Sequence, residues 1–151
     1  MESNRLGFCL WQFQTFWLYG AVEPATGEHF VWQFSHVDTD CFQLFLEQFS
    51  LRYADTLNIL QVDNGLFHKA KKLRISENVI LLFQPPRSPE LNPIERLWEH
   101  LKRHLKWELF SDLKQLQAKV DELIDALTPQ QVASITGYSF ILNALSVAGI
   151  F

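Results

Sequence analysis

The sequence predicts an α/β domain: a mixed sheet, in which an antiparallel hairpin joins parallel central strands, flanked by helices. Three observations carry that expectation. Two aromatic-rich runs are joined by a turn containing Pro24 and Gly27; two short apolar runs are each followed by a helical stretch; and apolar residues in the second half recur at three- and four-residue spacing. Strands joined by a tight turn pair antiparallel, whereas strands separated by a helix pair parallel, so a sheet built from both is mixed.

Residues 8–13 and 16–22 are rich in aromatic and apolar side chains, as strands are. Glu23-Pro24-Ala25-Thr26-Gly27 reads as a turn, because Pro24 presets its backbone angle and Gly27 permits a positive one. His29-Phe30-Val31-Trp32-Gln33-Phe34 returns as the partner strand, making 16–34 a hairpin. Asp38, Thr39 and Asp40 offer N-caps for a helix over 40–54, whose apolar face is Phe42, Phe45, Leu46 and Phe49. A strand over 57–62 ends at Asp63-Asn64-Gly65, and a short helical stretch follows over 66–74. The run 79–83, Val-Ile-Leu-Leu-Phe, is apolar throughout, as expected of a strand buried on both faces. A helix over 93–107 carries the stripe Ile94, Leu97, Trp98, Leu101 and Leu105, and a second over 111–127 carries Leu113, Leu116, Val120, Leu123, Ile124 and Leu127. Thr128-Pro129 starts a third, weaker helix.

A chain of 151 residues fits one domain, and hydrophobic residues at 48%, including 13 Phe and 5 Trp, supply a core. Cys9 and Cys41 show neither a metal-ligand spacing nor a disulfide framework, which points to a reducing compartment. No apolar run reaches the roughly 18 residues of a membrane helix, and the amino terminus lacks a signal-peptide pattern. A soluble, cytoplasmic chain with no membrane partner is expected. The net charge of −4 conceals an uneven distribution. Lys69, Lys71, Lys72, Arg74, Arg87, Arg96, Lys102, Arg103 and Lys106 account for nine of the 13 basic residues, while the acids gather in 23–55 and 108–125. A basic middle segment suits a polyanion, although charge alone equally describes two solvated helix faces.

Two carboxylates punctuate that segment. Asp63 ends a predicted central strand, where ligand sites of open α/β sheets lie, although Asp-Asn-Gly is also a common turn. Glu95 stands three residues after Asn92, with Pro93 between them, so it can equally close a capping box by reaching back to the Asn92 amide. A sheet and a following helix that bring two carboxylates together offer what a divalent-metal phosphoryl-transfer site needs.

The order of motifs adds to this. Gln61-Val62-Asp63-Asn64-Gly65-Leu66-Phe67-His68-Lys69 and Pro85-Pro86-Arg87-Ser88-Pro89-Glu90-Leu91-Asn92-Pro93-Ile94-Glu95-Arg96-Leu97-Trp98 closely resemble the DDE transposases of bacterial insertion sequences in the mariner-like superfamily. Members look like Asp-Asn-x-x-x-His-Lys at the second catalytic acid and Pro-Pro-Tyr-Ser-Pro-x-Leu-Asn-Pro-Ile-Glu at the third. Here Arg87 replaces the Tyr, a loop change without an expected consequence. The separation of 32 residues between Asp63 and Glu95 is similar to the family's, and 19–27 resembles its second strand and turn. The resemblance spans 16–127.

It implies an RNase H-like fold and catalytic acids Asp63 and Glu95 acting as ligands of two Mg²⁺ (or Mn²⁺) ions. It also implies DNA cleavage by an activated water, followed by strand transfer of the freed 3′-hydroxyl. DNA, as transposon ends and target, is the expected partner, contacted by Asn64, His68, Lys69, Asn92, Arg96, Lys102 and Arg103. Assembly with further copies or with intact transposase is expected as well. Magnesium takes few protein carboxylates and keeps water and phosphate oxygens as its other ligands, which agrees with so small a donor set. The family's first acid lies in an early strand patterned Asp-Glu-Ser-x-x-Gly. Met1-Glu2-Ser3-Asn4-Arg5-Leu6-Gly7 matches it with Met1 in place of the Asp, and Glu2 could substitute only by a shift in register. The family's amino-terminal helix-turn-helix has no counterpart, so the sequence reads as a catalytic domain truncated at its amino end. The alternative is a non-catalytic remnant that binds DNA or intact transposase.

Overall fold

A computed structural model describes residues 2–5, 16–63 and 71–149 of the chain. The hairpin is present as β2 (Trp17–Val22) and β3 (His29–Phe34), antiparallel with Trp17 opposite Phe34 and Val22 opposite His29. Its turn closes as the sequence requires. Gly27 has a φ of 79° and donates its N–H to the Glu23 carbonyl at 2.8 Å, while the Thr26 hydroxyl donates to the Glu23 carboxylate at 2.7 Å. A further strand, β1 (Glu2–Arg5), pairs antiparallel with the other edge of β2, setting Glu2 opposite Gly20. The strand expected over 8–13 lies outside the described residues.

The parallel pair is also present, as β4 (Asn58–Val62) and β5 (Val79–Phe83), in register from Asn58 opposite Val79 to Val62 opposite Phe83. Among the described residues, however, the strands form two hydrogen-bonded sheets, β1-β2-β3 and β4-β5, where one continuous sheet was expected. The helical stretch expected over 66–74 is described only from residue 71, where residues 71–72 make a 3-10 turn.

Helix α1 (Thr39–Arg52) starts where Asp38 Oδ1 accepts the Cys41 N–H at 2.8 Å. Its predicted face is its buried face: Phe42, Phe45, Leu46 and Phe49 cluster with Tyr19 and Ala21 of β2 and with Leu60, Val62 and Val79 of the parallel pair. One helix thus covers one side of both sheets. The other side of the hairpin carries α2 (Ile94–Leu105), α3 (Leu113–Asp125) and α4 (Pro129–Thr136). There Phe16 and Leu18 meet Ile94, Leu97, Trp98, Leu101, Leu105, Leu116, Val120 and Val132 in a second cluster. Each such side chain stabilises the fold by ~1.5–3 kcal/mol when fully buried.

Alternation along β2 assigns Leu18 to one cluster and Tyr19 to the other, so this strand partitions the interior. Glycine at position 20 lets α2 approach: a Cβ there would stand 2.6 Å from Ile94 Cδ1 and 2.6 Å from Trp98. Helix α3 is capped by Asp112, and α4 by a complete capping box between Thr128 and Gln131.

Two features depart from expectation. The β5 strand is buried on one face only: Ile80 is 47% and Leu82 55% exposed, beside Ile59 of β4 at 48%. The physical reason is that α2, α3 and α4 gather over the hairpin, so that among the described residues the side of β4-β5 away from α1 has no comparable apolar cover. A further helix, α5 (Ser139–Val147), follows α4 and buries none of its side chains. Among the described residues, no helix is long and apolar enough to cross a membrane.

Candidate functional site

Asp63 directly follows β4 and is half-buried. On β4, Leu60 and Val62 enter the cluster under α1, so Ile59 and Gln61 point to the opposite side. Gln61 shows what stands there. Its Nε2 donates to the Leu91 carbonyl at 2.9 Å and to Gln84 Oε1 at 2.9 Å, while the Gln84 N–H bonds the Val62 carbonyl at 2.9 Å. Leu91 closes the 3-10 turn Pro89–Leu91 that leads into α2. The end of β4 and the start of the Glu95 helix are therefore tied together by one part-buried glutamine pair, on the face toward which the alternation would direct Asp63.

The helix start itself corrects part of the sequence reading. Asn92 is extended and Pro93 already helical, at φ −58° and ψ −30°, so the chain turns into the helix where expected. Asn92 Oδ1 accepts the Ile94 N–H at 3.4 Å. The capping box, however, is not made. The Asn92 N–H donates instead to the Pro89 carbonyl at 2.9 Å, because the 3-10 turn reaches it first. Glu95 is left without that role, and its Oε1 is buried without a hydrogen-bond partner. So are Nδ2 of Asn92, which is 2% exposed, and Nε1 of Trp98. Buried polar atoms are nearly always satisfied, so three orphans at and just before the start of one helix mark an unusual place. Burial pushes the Glu95 carboxyl above the ordinary carboxylate range; Lys102 opposes that rise and Glu99 adds to it.

The remaining predicted residues divide. Arg96, Lys102 and Arg103, with Glu99, Ser134 and Ile135, line a groove of about 660 Å³ between α2 and α4. Arg96 is also stacked, its guanidinium 4.1 Å from the centre of the Tyr138 ring. Asn64, His68 and Lys69 lie outside the described residues. Arg87 has a φ of 60°, which makes it a left-handed non-glycine residue in the loop before α2. Among the described residues, no three His, Cys, Asp or Glu side chains gather as a metal cluster. The sequence reading missed Gln61 and Gln84. For Gln61 the available signal was a polar residue two positions before Asp63, set between the apolar Leu60 and Val62.

Comparison with known proteins decides the kinship: the profile of the DDE superfamily endonucleases matches residues 7–117. The chain belongs to the DDE endonuclease superfamily. It is 33% identical over 98 residues, 64% of its length, to the uncharacterized protein y4pE/y4sA of Sinorhizobium fredii, covering 73% of that protein. Over 70 residues, 44% of its length, it is 40% identical to the transposable element Tcb2 transposase of Caenorhabditis briggsae, covering 24% of that protein.

Proposed function

We propose that this chain is the catalytic domain of a mariner-like DDE transposase acting on DNA, with Asp63 and Glu95 as ligands of Mg²⁺ or Mn²⁺. The observation that carries the reading is the Glu95 carboxylate: half-buried, with an oxygen that no protein donor satisfies, at a helix start pinned to the end of β4. A hard divalent cation is the partner such an oxygen lacks, and a second carboxylate at the end of β4 completes a small hard donor set. Two ions bound there would stabilise the entering and leaving oxygens of an in-line phosphodiester displacement. The protein's own part is to hold the two carboxylates rigidly and to carry the strand. Arg96, Lys102 and Arg103 supply positive charge along the α2–α4 groove, and Asn64, His68, Lys69 and Asn92 are the further DNA contacts on this reading. On this reading β1-β2-β3 and β4-β5 are the two halves of an RNase H-like mixed sheet, and the chain is a single cytoplasmic domain that assembles on transposon ends and target DNA.

The test is a nicking assay on supercoiled plasmid with Mg²⁺ or Mn²⁺. The reading expects metal-dependent nicking that Asp63→Asn and Glu95→Gln each abolish while DNA binding persists. The second reading is a remnant that binds DNA or intact transposase without cutting, and the same assay separates the two. DNA binding without nicking by the parent chain would establish it.

A further inference from the structure

Away from Glu95, the last turns of α2 carry two histidines one helical turn apart. The rings of His100 and His104 lie with centroids 4.4 Å apart and planes inclined by 49°. His104 Nδ1 is 2.9 Å from the His100 carbonyl oxygen. A carbonyl can only accept, so this contact places the proton on Nδ1 and leaves the Nε2 lone pair of His104 free to bind an ion. Metal-ligating histidines are held in the same way, the far ring nitrogen donating to a carbonyl that fixes tautomer and orientation. At roughly 100° per residue, the pair lies roughly 160° around α2 from Glu95, so the two positions do not share a face.

We propose that His100 and His104 form a binding site for an imidazole-preferring transition ion, Ni²⁺, Cu²⁺ or Zn²⁺, separate from any carboxylate site on the same helix. Imidazole nitrogens bind these ions well and magnesium poorly, and two histidines at this spacing on one helix face are a known donor arrangement for zinc. Water fills the remaining coordination positions. The ion would staple the last two turns of α2, from His100 to His104.

The experiment is calorimetric titration of NiCl₂ into untagged, EDTA-stripped chain, with circular dichroism to confirm folding of each variant. With excess Mg²⁺ present to occupy any carboxylate site, the parent should still bind one Ni²⁺ saturably, and His104→Asn should lose that phase although His29, His36 and His68 remain. Glu95→Gln should bind Ni²⁺ like the parent. Retention of parental Ni²⁺ affinity by a folded His104→Asn chain, or its loss in Glu95→Gln, overturns the proposal.

Discussion

Glu95 shows how one side chain can carry two opposing electrostatic demands. Its folded-state carboxyl titrates above the ordinary range because burial disfavours the charge. The folded chain therefore holds its proton to higher pH than the unfolded chain does. Below the unfolded value both states are protonated and nothing is lost. As pH rises through the elevated folded value, the native state takes on the cost of ionising a poorly solvated group, and stability falls. Glu95→Gln should flatten this slope in metal-free protein, raising stability at neutral pH by less than about 1 kcal/mol, since a half-buried group remains screened. Urea midpoints at several pH values measure it, and manganese titration of the same variant should show a sharp loss of affinity. Arg87 offers a simpler case. A left-handed non-glycine residue costs ~1–2 kcal/mol, so Arg87→Gly should raise the unfolding free energy by about 1 kcal/mol, read as a higher urea midpoint, the relief being partly offset by a freer unfolded chain. The sequence marked Arg87 as a departure from the family pattern, yet backbone strain is invisible in residue names. The orphaned Glu95 oxygen was equally hidden, because spacing from Asn92 cannot show that Pro89 already holds the Asn92 amide.

At the level of elements, what could be read depended on whether an element discloses its own environment. The stripe Ile94, Leu97, Trp98, Leu101 and Leu105 was legible because a helix buried on one side repeats that side every turn, and all five are buried. The same holds for the four residues of α1. The β5 run was misread because an unbroken apolar strand states a preference for burial without stating what is available to cover it. Helix α5 went unseen because Phe140, Ile141, Leu142 and Leu145 do not form a one-sided pattern with an evident partner. The close packing of β2 against α2 rests on the missing side chain at position 20. Gly20→Ala should cost ~1–3 kcal/mol by overpacking. It should also weaken manganese binding, because the displaced helix carries Glu95. Denaturant midpoints and metal titration together check both effects. Gly27→Ala should be costlier still, since it combines a positive φ with a collision against the Pro129 carbonyl.

Over the whole molecule, Ile59, Ile80 and Leu82 form a contiguous apolar surface on the β4-β5 sheet, each roughly half exposed. Half-exposed aliphatic residues on a two-stranded sheet invite pairing with other chains. The double variant Ile80→Thr, Leu82→Thr should lower light scattering at high protein concentration while changing the thermal midpoint little, because β-branched Thr retains strand preference. A larger fall in the thermal midpoint would mean that this surface is covered in solution. The partition of the interior by β2 has a consequence in time rather than in space. That strand is hydrogen-bonded on both edges and buried on both sides, so its amides can meet solvent only when the α1 layer and the α2–α4 layer come apart together. Hydrogen exchange at Leu18, Tyr19 and Gly20 should report the global opening of the chain, and α5 should exchange orders of magnitude sooner through local fraying. The slowest clock in the protein then ticks at the residue whose absent side chain sets the position of Glu95.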